Sequence, residues 1–347
     1  MAIPGVDFPR SEEQFRAWFQ DDDACLDYLD WLRWGNSLVC TSCGVVNKPR
    51  RVSGRIWRCS SCTAKVSRTT GTIFQDTRTP MTIWFAAAWE FCMDKGGVSA
   101  LTLKRRLNLG SYETAWTMLH RYRSAMALAG IDKLKGTVEV DETFLGGVRP
   151  GVRGRGALGK VMVIIAVERQ NPKGYGCARM KVIPDTTAGT IKQFLLDNIE
   201  VGSTVITDGH RAYPVATKGT YIHQAHAIKP SGKPAHTMLP AVHRVASLLK
   251  RWFLGTYQGS FGHDHLDAYL TEFTFRWNRR KSRDRGLIFY RLMSLAVQAP
   301  PLTYNQIVKK HQPKPQAPVP PTTKRVRSNS LSIPEPTRPW RESTPTP

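Results

Sequence analysis

Thr137-Val138-Glu139-Val140-Asp141-Glu142-Thr143-Phe144 alternates apolar and polar residues, the period of a β-strand whose two faces meet different surroundings. Val138 and Val140 point one way, Glu139 and Asp141 the other. Val161 to Val167 is a continuous β-rich run, as a buried strand would be, and Cys177 to Ile183 alternates again. Ala188 to Ile199 reads as a helix with Ile191, Phe194, Leu195 and Ile199 on one stripe. Ser203 to Thr207 is a short strand ending at Asp208-Gly209, and Tyr221 to Ile228 is another. Helices are expected over Val242 to Leu254 and His265 to Asn278. Three strands, a helix, two strands and then helices suit an α/β domain with a mixed sheet over 136–295. Asp141 and Asp208 occupy the same kind of strand edge, which points to a shared metal site.

Upstream, Cys40-Thr41-Ser42-Cys43 and Cys59-Ser60-Ser61-Cys62 are two C-x2-C pairs with 15 residues between them. Two residues between thiols let one knuckle present both sulfurs to a single ion, and two knuckles close a tetrahedral site of four thiolates. The expected metal is structural Zn2+, since four thiolates leave no open position for chemistry. Gly44 helps the first knuckle turn. The segment is too small to fold on its own core, so the metal should hold it together. Arg50, Arg51, Arg55, Arg58, Lys65 and Arg68 surround the pairs and are expected to face phosphate. Cys25, Cys92 and Cys177 show no partner pattern and read as buried small hydrophobes.

Residues 1–35 read as helical, with Phe15, Trp18, Phe19, Tyr28 and Trp31 as core, and 1–75 as N-terminal helices plus ribbon. The segment 80–130 reads as three helices, the first capped by Thr79 with Pro80 in its first turn, the second over Ser99 to Leu107, the third from about Ser111. Arg105, Arg106 and Arg121 give this segment the basic edges of a helix-turn-helix-like DNA-binding unit. The residues from 309 to 347 contain ten of the chain's 23 prolines, and eight Lys or Arg against two Glu, the composition of a disordered basic tail.

The chain has 50 Lys and Arg against 27 Asp and Glu, a formal charge of +23, which calls for a polyanionic partner, nucleic acid first. The longest apolar run, Val161 to Val167, is far too short to span a membrane. The first twenty residues carry Asp7, Glu12 and Glu13 and no apolar core run, so the expected location is the cytoplasm.

Taken together, Val138 to Gly147, Ile206-Thr207-Asp208-Gly209, His243 to Gly255 and Tyr269 to Arg280 resemble the insertion-sequence transposases of the DDE type, in the ISXO-like group that carries a zinc ribbon before its catalytic domain. The resemblance runs from about 15 to 295. It implies a ribonuclease-H-like fold and a metal-bound acidic triad, with Asp141 as first acid and Asp208 as second. Family members often carry Glu at the third position. This chain has His243, 35 residues after Asp208, so an Asp-Asp-His variant is expected, with Mg2+ or Mn2+ as catalytic metal.

His243 could equally position water or the 3′ oxygen, or act as acid or base. Glu142, Asp264, Asp267 and Glu272 are the other carboxylates available as ligand, Glu272 being better suited to bridge Arg276 or Arg279. The resemblance also implies that Lys250, two helical turns beyond His243, touches DNA near the scissile phosphate. It extends DNA contact to Arg251, Arg276, Asn278, Arg279, Arg280 and Lys281, and implies a homo-oligomer pairing two double-stranded ends. The competing functions are a catalytically silent DNA-binding descendant of a transposase and a metal-dependent nuclease that does not rejoin.

Overall fold

The structure, a computed structural model, describes residues 2–35, 38–40, 42–47, 50–129, 132–146, 160–170, 174–226, 235–259 and 262–309. The expected tail therefore lies almost wholly outside the described residues. The chain divides into two compact units, one formed by residues up to Ala125 with those from Ser282 onward, the other by Met126–Lys281.

In the first unit, helices α1 (Glu12–Trp18) and α2 (Asp22–Trp34) begin where Ser11 and Asp21 accept hydrogen bonds from Gln14 N and Ala24 N. The ribbon follows as two sheets, β1 (Leu38–Val39) with β2 (Val46–Asn47), and β3 (Arg50–Ser53), β4 (Ile56–Arg58) and β5 (Lys65–Ser67) in antiparallel order. Helices α3 (Met81–Met93), α4 (Ala100–Arg106) and α5 (Tyr112–Met126) come next. The start of α3 differs from expectation. Pro80, not Thr79, occupies the cap position without a side-chain bond, and Asp22 of α2 accepts from both Thr82 N and Thr82 Oγ1.

α3 is buried nearly all round, which is why its sequence shows no polar face. Phe15, Phe19, Phe85 and Trp89 meet Phe289 at ring-centroid distances of 5.6–6.0 Å. Phe289 lies on α10 (Arg285–Ala296). The span expected to belong to the catalytic domain up to 295 thus leaves that unit after Lys281, and 1–75 shares one unit with 80–125. Gly286 sits where α10 passes the loop after Phe8: a Cβ there would stand 1.9 Å from the Pro9 carbonyl oxygen.

Arg68 was expected to face phosphate and is instead buried. Its Nε donates to Asp30 Oδ2 at 2.7 Å, one Nη to Asp27, another to the Gly54 carbonyl at 2.9 Å, and its guanidinium stacks on Trp57. Trp57 Nε1 donates to Asp30 as well, at 2.6 Å. Burial still lifts the Asp30 carboxyl to about 6, against the pull of Arg68 and Trp57. Arg68→Ala should lower the stability of this unit by about 3–5 kcal/mol, because it strips buried Asp30 of its cation. Urea unfolding of the zinc-loaded protein measures it, and a loss under about 1 kcal/mol would contradict this role.

The second unit is a five-stranded sheet in the order β10-β9-β6-β7-β8. Its strands are β6 (Thr137–Leu145), β7 (Val161–Arg169), β8 (Tyr175–Val182), β9 (Thr204–Thr207) and β10 (Ile222–Ala225). β6, β7 and β8 pair antiparallel, β9 runs parallel to β6, and β10 parallel to β9. The parallel steps need crossovers, supplied by α6 (Ala188–Asn198) and α7 (Tyr213–Thr217). Val138, Val140, Ile164 and Val205 pack toward Ile191, Phe194, Leu195 and Tyr213 on that face. On the other face Leu145, Val163, Ile165 and Val167 meet Val242, Val245 and Leu249 of α8 (Pro240–Tyr257) and Leu270 and Phe273 of α9 (Leu266–Asn278). No helix among the described residues is long and apolar enough to cross a membrane.

Candidate active site and zinc centre

The two cysteine pairs form one cluster. Cys40 Sγ lies 3.7 Å from Cys62 Sγ and Cys43 Sγ 3.8 Å from Cys59 Sγ, and all four sulfurs are within 4.8 Å of one another. A tetrahedral zinc with bonds of about 2.3 Å sets its sulfurs about 3.8 Å apart, so the site suits structural Zn2+. The knuckles are built alike. Gly44 N donates to Cys40 O at 2.9 Å and Thr63 N to Cys59 O at 3.0 Å, while Cys40 N and Cys59 N donate to Val45 O and Ala64 O. Both turns need a left-handed residue, Gly44 at φ +70° and Thr63 at φ +61°. Gly takes this conformation freely; Thr is strained in it, which a metal closing the knuckle offsets. Of the surrounding cations, Arg55 donates to the Thr77 carbonyl and to Asp22, which with Arg68 removes two from the expected phosphate face. Arg58 and Lys65 are exposed.

In the second unit, Asp141 lies in β6 and His243 in the first turn of α8. His243 Nε2 stands 3.7 Å from Asp141 Oδ2. Thr137, Val138 and Glu139 pair with Thr204, Val205 and Ile206, so continuing the register by two residues sets Asp208 level with Asp141 on the next strand end. Asp141 shares the parity of Glu139 and faces α8, whereas Asp208, one residue past β9, accepts from His210 N at 2.9 Å. Among the described residues the four cysteines are the one group of three or more His, Cys, Asp or Glu side chains drawn to single-ion distance. The structure thus brings Asp141 and His243 together and Asp208 alongside without closing all three on one point.

Of the other carboxylates, Glu142, Asp267 and Glu272 are engaged elsewhere. Glu142 faces the opposite side of the sheet and accepts from the hydroxyl of buried Tyr213 at 2.6 Å. Burial, then Glu142, then Asp141 and Asp208, push the Tyr213 phenol well above its usual range, so it remains a neutral donor. Asp267 accepts from Val182 N at the edge of β8, and Asp264 is exposed in a 3-10 turn, His263–His265. Buried Glu272 accepts from Arg276 Nε at 2.8 Å.

The sequence assigned no role to three residues near the site, although alternation put Glu139 on the face of Asp141. Glu139 is fully buried, and its Oε2 accepts from Ala241 N at 2.7 Å and Val242 N at 3.1 Å. His226 N donates to Thr207 O at 2.8 Å, which extends the β9–β10 pairing and sets His226 level with Asp208. Lys160 shares the surroundings of Lys250: partial desolvation of this otherwise exposed side chain first, then Lys160, depresses the Lys250 ammonium, and Asp141 opposes this.

The basic run after Trp277 is mostly tied to its own unit. Asn278 clamps β8, its Oδ1 accepting from Ala178 N and its Nδ2 donating to Ala178 O. Arg280 stacks on Trp277 and donates to the carbonyls of Tyr175, Gly176 and Trp277. Arg279 stacks on Phe275, and Lys281 donates to Gln170 at 2.6 Å. In the first unit, Arg121 donates to the carbonyls of Leu302, Ile73 and Gln75, and Arg106 pairs with Glu90 and Asp94. Arg106, Arg121, Arg276, Asn278 and Arg280, expected to touch DNA, thus each hold a partner within the protein. Arg105, Lys250 and Arg251 are exposed.

A carboxylate-bearing mixed sheet behind a four-cysteine ribbon defines the class, and sequence comparison supplies the family. Residues 133–278 match the ISXO2-like transposase domain and residues 20–65 the transposase zinc-ribbon domain. A protein of Halobacterium salinarum, an uncharacterized protein in transposable element ISH50, is 27% identical over 282 residues, covering 74% of this chain and 91% of that one. The chain thus carries an ISXO2-like transposase domain of the DDE type, preceded by a transposase zinc ribbon.

Proposed function

We propose that this protein cleaves and rejoins insertion-sequence DNA in a divalent-metal-dependent reaction, on a ribonuclease-H-like domain whose acting groups are Asp141, Asp208 and His243. The observation that carries the reading is the approach of His243 Nε2 to Asp141 Oδ2, 3.7 Å, with Asp208 in register on the adjoining strand end. The sheet order and strand directions suit that fold. The match to the transposase domain supports the reaction class.

The donor set fits a hard divalent ion at Asp141 and Asp208, and the imidazole broadens the fit toward Mn2+. Such ions, when bound, activate the attacking oxygen and stabilise the leaving one. Asp141, in the middle of β6, and Asp208, just past the end of β9, would hold them. His243 completes the set or positions the attacking 3′ oxygen. Lys250, on the same helix, and exposed Arg251, Arg105, Arg58 and Lys65 are cations available to meet phosphate. The partners are double-stranded insertion-sequence ends and target DNA, with a homo-oligomer bringing two ends together.

His243 is tested by two substitutions. His243→Ala should cut strand cleavage by roughly a hundredfold or more while end binding persists. His243→Glu restores an oxygen ligand and should retain some activity, shifted from Mn2+ toward Mg2+. Cleavage of a labelled end in each metal reads both. If Ala and Glu are equally inactive and folded, the imidazole acts as proton carrier or hydrogen-bond donor. If Ala cuts like the wild type, His243 has no part in the reaction.

A further inference from the structure

The N-terminus of α8 has an unusual arrangement for a helix that carries a reacting group. Leu239 occupies its cap position and offers no side-chain hydrogen bond, and Pro240 in the first turn has no N–H. The next two amides, Ala241 N and Val242 N, need an acceptor in a buried setting. Both donate to one oxygen of Glu139, a residue about a hundred positions earlier in the chain. The positive end of the helix dipole favours a carboxylate there. The other oxygen of Glu139 lies 3.5 Å from Arg169 Nε.

The placement of this bond couples it to the proposed reaction site. Glu139 is two residues before Asp141 on the same face of β6, and its donors are the two residues immediately before His243. The strand that carries Asp141 and the helix that carries His243 are thus tied within one turn and one strand repeat of the 3.7 Å contact between them. Sliding of the α8 terminus along β6 would change that approach directly. A displacement of about 1 Å at a reacting group can cost about a hundredfold in rate.

We infer that Glu139 is a positioning residue: its buried carboxylate caps α8 from the neighbouring strand and thereby sets the approach of His243 to Asp141. The inference rests on the reading of Asp141 and His243 given above. It makes reach, not charge, the property of Glu139 that matters. Glu139→Gln keeps an oxygen at the same distance and loses the charge. Glu139→Asp keeps the charge and falls one methylene short of the helix.

The test compares Glu139→Gln, Glu139→Asp and Asp141→Asn in the full-length, zinc-loaded protein, below the melting temperature of each variant. Three quantities are read: cleavage of a labelled end at saturating DNA, affinity for that end, and the 15N imidazole resonances of His243. Glu139→Gln should retain at least about a third of the wild-type rate and a wild-type His243 signal. Glu139→Asp should lose roughly thirty- to a hundredfold in rate, shift the His243 resonance and keep its affinity for the end. Asp141→Asn should be inactive. An Asp variant that outperforms the Gln variant would show that charge is what counts and would overturn the clamp. So would two Glu139 variants that cut like the wild type beside an inactive Asp141→Asn. If Asp141→Asn itself cuts at the wild-type rate, the reading of the site fails, and the clamp inference fails with it.

Discussion

Asp141→Asn and Asp208→Asn should each lower end cleavage by roughly a thousandfold or more, about 4 kcal/mol of barrier, and leave end binding nearly intact. Each substitution keeps the shape of the side chain and removes the charge that would hold a divalent ion. Asp141 sits in the middle of the central strand β6 and Asp208 one residue beyond the end of β9, and Asn fits the space of Asp at both. The loss should therefore appear in rate and not in melting temperature. Gel-shift binding and single-turnover cleavage on the same preparation separate the two. Either variant cutting at the wild-type rate would misplace the site.

The second large effect concerns the ribbon. Replacing any of Cys40, Cys43, Cys59 or Cys62 by Ser should release the metal and unfold the ribbon, weakening DNA binding while the five-stranded sheet stays folded. The apolar core of the ribbon consists of Cys40, Cys59 and Val66, with Trp34 and Trp57 against them. That is too little to fold such a segment, whereas a structural zinc is worth about 10–16 kcal/mol in comparable peptides. One zinc per chain by metal analysis, lost in each Ser variant together with the ribbon's amide protection, is the expected result. Reduced, purified protein without zinc would contradict it.

These two centres were legible in the sequence to different depths. The ribbon was fully legible because tetrahedral coordination depends on local spacing, which C-x2-C displays directly. Even so, nothing marked Thr63 as the left-handed partner of Gly44. The β6 alternation was legible because one face meets α6 and α7 and the other α8, and Asp208 followed from its place at a strand end. Glu139 shows the limit. Alternation places it on the same face as Asp141, but its partners lie about a hundred residues downstream, and only the fold reveals that it is a helix cap.

The arginines show the same limit from the other side. Arg276 to Lys281 reads as a grip for phosphate because a dense basic run usually meets solvent or an anion. Its acceptors, the carbonyls of Tyr175, Gly176 and Ala178, belong to an edge strand that linear spacing cannot connect to it. Arg68 had no local cue for burial, since its partners Asp27 and Asp30 sit on a helix before the ribbon. The return of α10 to the first unit was equally hidden. Ile288, Phe289, Leu292 and Met293 would suit any core, and only packing decides which one they complete.

The most direct test of the central claim is strand transfer in vitro, with a labelled candidate end, a target plasmid and Mg2+ or Mn2+. The wild-type protein should join the 3′ end to the target in a reaction that needs the divalent ion and vanishes with Asp141→Asn. Zinc-loaded protein that binds the end but neither cuts nor joins it in either metal would contradict the account and leave a DNA-binding protein without catalysis; cutting without joining would leave a nuclease.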